Sequence, residues 1–141
     1  MNRNRLADVL RIRRLQERSA RGALAISNQR HHAAIAIEAT MWTTLDQRGE
    51  ALARSGAFGS IQATRVAGTL AAEAQHAVTE RAQEATVVAG ALWSEAARRV
   101  EALERLGERL AEVEAEEFDR AERNELDDLV LARRGTVEAG S

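Results

Sequence analysis

The sequence predicts an all-α fold: a long antiparallel two-helix coiled-coil hairpin whose second helix overhangs at the C-terminus. Three observations predict it. The 141 residues include no Pro and no Cys, only 3% are aromatic and 30% are charged, the composition of long helices rather than of a globular enzyme core. Apolar and small residues recur by threes and fours through the second half of the chain. One Gly- and Ser-rich break interrupts an otherwise helical pattern.

The first element is a helix over about 3–54. Leu6, Val9, Leu10, Ile12 and Leu15 form a broad apolar face over its first turns, as an amphipathic helix requires. Further on, Ile35, Trp42 and Gly49 are spaced by seven, as are Leu45 and Leu52. Between these stretches Arg and His interrupt the seam, and Ile26 and Ile37 lie eleven residues apart. An 11-residue period winds differently from a 7-residue one, so the partner face is expected to drift here.

The turn is 55–60, within Arg54-Ser-Gly-Ala-Phe-Gly-Ser60. Gly56 suits a left-handed C-terminal cap, and Ser60 suits the N-cap of the next helix. A break this short sets the second helix antiparallel to the first.

Helix 2 is expected over about 61–134. Ala85, Ala89, Leu92, Ala96, Arg99, Leu103, Leu106, Leu110 and Val113 step by 4 and 3 in alternation, and the same frame runs back to Ile61. A 3.5-residue repeat held this long keeps one stripe facing one partner. Arg99 is the only charged position of that stretch. With the turn centred near 57–58, residue i faces roughly residue 115 − i. That register sets His76 near residue 39, and Trp93 against Gly22 as a ring over a hole.

The register also opposes charges. Residues 1–30 hold eight Arg against Asp8 and Glu17, a net of +6; residues 94–134 hold thirteen acids against eight Arg, a net of −5. Opposite charges on facing helices fix orientation, although exposed pairs contribute only ~0–1 kcal/mol each. A chain split this way is no uniformly basic nucleic-acid binder, so no nucleic-acid partner is expected. All twenty basic residues are Arg, which reads as codon bias rather than guanidinium recognition.

The arms are unequal, so about twenty residues of helix 2 have no partner in the chain. Phe118, Ala121, Leu126, Leu129, Val130 and Leu131 stand there among seven acids and four Arg. An amphipathic helix with an unpaired apolar stripe calls for a partner. Residues 135–141 are expected to fray.

No candidate catalytic, cofactor or metal site emerges. His31 and His32 are adjacent and point to different sides of a helix, unlike a ligating i, i+4 pair. The three histidines read as solvated. Glu101, Glu104, Glu108 and Glu112 stand at ion-pair spacing from Arg98, Arg105 and Arg109, and no isolated acid suggests general acid–base work. Gly56 and Gly59 lack the Lys and Ser/Thr of a phosphate loop. No apolar run approaches the ~20 residues of a transmembrane helix. The basic start has no signal-like apolar core, so the expectation is a soluble cytoplasmic protein.

Two stretches, RLADVLRIRRLQERSARGAL at 5–24 and ALWSEAARRVEALERLGERLAEVEAEEFDRAERNELDDLVLARR at 91–134, resemble the FliJ family of the bacterial flagellar type III export apparatus. The second is the sharper: Trp93, then a Leu-rich charged helix, then an acidic run closing on Glu125-Leu-Asp-Asp-Leu129 before Arg133 and Arg134. The resemblance implies a non-enzymatic antiparallel coiled coil, similar to the central stalk of rotary ATPases. It implies as partners the hexameric flagellar export ATPase, the export gate membrane protein and export chaperones, and a place at the cytoplasmic face of the inner membrane. The expected partner-binding residues are Phe118, Arg120, Arg123, Glu125, Leu126, Asp127, Asp128 and Leu129. Residues 31–90 carry nothing specific to the family, so no gate contact transfers to them. The alternative is a scaffold or membrane-surface coiled coil that uses the basic N-terminal face. Self-association through Ala-rich seams is a further expectation.

Overall fold

The computed structural model describes residues 2–140. Two helices, α1 (Arg3–Ser55) and α2 (Phe58–Ala139), pack against each other as a hairpin. There is no strand among the described residues. Asn2 caps α1: its Oδ1 accepts from the Asn4 amide at 3.3 Å and its carbonyl from the Leu6 amide at 3.0 Å, which satisfies donors a helix start leaves open.

The turn is tighter than the sequence suggests. Gly56 has φ of 76°, the left-handed conformation glycine adopts freely. The Ala57 amide donates to the Leu52 carbonyl and the Gly56 amide to that of Ala53, the two bonds of a Schellman cap. This cap reverses the chain by itself, so α2 starts at Phe58 rather than near 61. Ser60 lies inside its first turn and is not the N-cap. At the other end α2 runs to Ala139, so 135–139 are helical rather than frayed. Gly135 costs a helix about 1 kcal/mol, and no Pro follows to stop it. Ser141 lies outside the described residues.

The chain divides into two units, Arg13–Arg98 and Met1–Ile12 with Arg99–Ser141. In the first, Leu24 meets Gly90, Ser27 bonds Thr86, Glu38 bonds His76 and Leu45 covers Gly68. These number pairs sum to 113 or 114, close to the expected 115. In the second, Leu6 packs on Gly107 and Arg3 pairs with Glu114 at 3.6 Å.

The seam on α2 is half the expected one. The series Ile61, Gly68, Gln75, Ala82, Ala89, Ala96, Leu103 and Leu110 does turn inward. The other series keeps Thr64 and is displaced by one residue from Ala72 onward. Ala72, Thr79, Thr86, Trp93, Val100 and Gly107 face α1, whereas Val78, Leu92 and Leu106 are 43%, 58% and 37% exposed. Arg99 is therefore no seam residue, and Val100 takes its place. Close packing explains the preference. Ala72 is fully buried and a Cβ on Gly68 would overlap Leu45, so the helices approach too closely for a row of Val and Leu. The Thr79 and Thr86 hydroxyls donate to carbonyls one turn back, which lets Thr stand in the seam as a Val-shaped residue.

The α1 seam does not drift. Leu6, Leu10, Arg13, Glu17, Ala20, Leu24, Ser27, His31, Ala34, Glu38, Met41 and Leu45 turn inward at strict steps of 4 and 3. Polar members interrupt the apolar pattern without ending the seam, because several bond across it. Trp93 does not fill a hole at Gly22. A Cβ on Gly22 would meet nothing within 4 Å, and the Trp93 indole donates to Glu17 instead.

Candidate functional site

The sequence points to the end of α2, beyond the last described cross-helix contact. Leu110 is the last half-buried residue of α2, and Glu114 is its last residue with a described bond to α1. From Ala111 to Gly140 every described residue is exposed. The inward positions turn mostly polar here: the frame continues through Glu114, Glu117, Ala121, Asn124 and Asp128 before it meets Leu131. Beyond Glu114 α2 extends for 25 residues, 115–139, about 37 Å at 1.5 Å per residue.

This overhang has distinct sides. Phe118, Leu126, Leu129, Val130 and Val137 fall within one third of the helix circumference and are 52–74% exposed. Glu116, Arg120, Arg123, Asn124 and Asp127 line a second, charged side. Glu125 and Asp128 border Leu129. Of the residues expected to bind a partner, Phe118, Leu126 and Leu129 share the apolar side, and Arg120, Arg123 and Asp127 share the charged one. Glu125 and Asp128 belong to neither set. Val137 completes the apolar stripe and was not legible in sequence, because Gly135 reads as the end of the helix.

Charge elsewhere is handled locally. Arg11 pairs with Asp8, Arg21 with Glu17 and Arg105 with Glu101, each within its own helix. Glu17 reaches into the seam with its side chain 12% exposed. The hydrogen bond from the Trp93 indole, at 2.8 Å, holds its carboxyl below the usual range; burial opposes this and Arg21 adds to it. His76 is not merely solvated. Its Nδ1 lies 2.8 Å from Glu38 Oε1 and its Nε2 3.2 Å from Glu80 Oε1. The Glu38 bond, then the charges of Glu38 and Glu80, raise its pKa above the ordinary imidazole value. His31 lies half-buried in the seam with the His32 ring stacked 6.0 Å away, so these two rings share a side. Among the described residues no group of three or more His, Asp or Glu is placed to hold a metal ion, and no helix is long and apolar enough to cross a membrane.

No protein-family model matches the chain, and no curated protein or solved structure does.

Proposed function

We propose that the chain is a non-enzymatic component of bacterial flagellar type III protein export. The overhang of α2 docks on the hexameric export ATPase and couples it to the export gate, with export chaperones as further clients. One observation carries this reading: a two-sided, fully exposed helix continues for 25 residues past the last described contact with α1. An exposed apolar stripe of this length is recognised by a groove or a ring lumen in another protein. The resemblance of 5–24 and 91–134 to the FliJ family supplies the identity of that protein.

The test is deletion of residues 115–141. The shortened chain is expected to stay helical by circular dichroism and to lose both binding and stimulation of the ATPase ring. Stimulation at the full-length level would refute the stalk reading.

A second reading has its own observation. Leu15 and Ile26 are 55% and 52% exposed on α1, one turn from Arg11 and Arg30 respectively, which suits an anionic membrane surface. Flotation with anionic liposomes, sensitive to salt, is its expected signature; the export role needs no such binding.

A further inference from the structure

Within 13–98 the two flanks of the helix pair differ. One is polar, with Arg18, Arg21, Glu73, His76 and Glu80. On the other, Ile37, Val78 and Leu92 each precede a seam residue, and Ile26 and Val88 stand one turn before Arg30 and Leu92. These five are 43–59% exposed. Between them the flank holds Arg30, Ala33, Arg81 and Ala85. Toward the turn it opens into a groove lined by Thr40, Thr44, Ala67 and Ala71 over Met41 and Leu45, with Arg48 at its edge. The seam beneath is thin: in this unit only Ala34, Ala72 and Thr79 are buried. So small a core offsets little of the entropy of ordering the chain.

Two of the charges on this flank, Arg81 and Glu95, have a symmetry; Arg30 stands outside it. Arg81, Val88 and Glu95 are spaced by seven on one stripe of α2. An antiparallel two-fold axis through Val88 therefore sets Arg81 of one copy against Glu95 of the other, twice, with Val88, Leu92 and Ile26 around the axis. An isologous interface requires this kind of self-complementarity. From 78 to 98 the flank runs about 30 Å at 1.5 Å per residue and is about 20 Å across two helices. Covering it removes roughly 1,200 Å² in total, the lower bound of specific interfaces.

We propose that a second copy of this chain docks antiparallel on this flank, about a two-fold axis at Val88, to make a four-helix layer. The inference is independent of the export reading and uses none of the overhang residues. Sedimentation equilibrium of the full chain at tens of micromolar tests it. The expected mass is twice 15.4 kDa. Val88→Arg is expected to give the monomer, whereas Val87→Arg, the neighbouring residue on the polar flank and 67% exposed, leaves the dimer intact. Glu95→Arg is expected to weaken the dimer at least tenfold, and Arg81→Glu in the same chain to restore it. These two charge changes lie on the surface, so they decide the matter even if Val88→Arg unfolds the chain. A wild-type monomer at these concentrations, equal loss with Val87→Arg and Val88→Arg, or no rescue by the double exchange would each overturn the proposal.

Discussion

The Glu17–Trp93 bond shows at the scale of single residues how a polar group is accommodated in this seam. A carboxylate that accepts a hydrogen bond across the interface stays ionised, and its depressed pKa favours the folded state above the ordinary carboxylate range. That contribution is lost as pH falls through the lowered folded value. Trp93→Phe keeps the ring and removes the donor, so the Glu17 pKa should rise toward the ordinary value in an NMR titration; an unchanged value would contradict the assignment. His76 works with the opposite sign. Its raised pKa gives a contribution complete below about pH 6.5, the ordinary imidazole value, and lost as pH rises through the folded value. The melting temperature should therefore fall between pH 5.5 and 8 in the wild type and fall less in His76→Gln. The glycines separate in the same way. Gly22→Ala adds a Cβ in open space and should stabilise by about 1 kcal/mol. Gly68→Ala should lose that gain, because its Cβ overlaps Leu45; urea unfolding compares the two. None of these pairings was legible in sequence. A register good to a few residues locates His76 near 39, but it cannot choose Glu17 over Gly22 as the partner of Trp93.

At the scale of the helices, the sequence conveyed the period, the turn glycine and the antiparallel order, and missed one stripe of the seam. Val78, Leu92 and Leu106 read as core because they are the larger apolar residues. Close approach at Gly68 and Ala72 reverses that choice and admits Thr79 and Thr86, whose hydroxyls are satisfied within α2. The displacement has a measurable consequence. Leu103 lies in the seam and Leu106 beside it, so Leu103→Ala should cost about 2 kcal/mol and Leu106→Ala less than half of that. Equal costs would restore the simpler frame. Drift in α1 was likewise read from Arg and His interruptions and the spacing of Ile26 and Ile37, whereas the seam keeps its period with Glu17, Ser27 and Glu38 bonding across it. The overhang was legible because two limits coincide: the heptad frame read in sequence fails beyond Val113, at Glu117 and Arg120, and helix 1 runs out of residues at nearly the same level. Its last five residues were not, since a glycine followed by no Pro does not end a helix.

At the scale of the whole molecule, the chain presents two exposed surfaces. The acidic overhang and the apolar flank of 13–98 are separate features with separate tests, and a protein partner is proposed for each. The unequal arms, read from the position of one turn, are the link between sequence and the proposed role. The most direct measurement is amide hydrogen exchange of the full chain, alone and with the hexameric export ATPase. The overhang makes no described packing contact with α1, so its amides, 115–139, should exchange quickly in the free chain. They should slow at least tenfold in the complex. Protection confined to 13–98, with 115–139 exchanging as in the free chain, would contradict the stalk role.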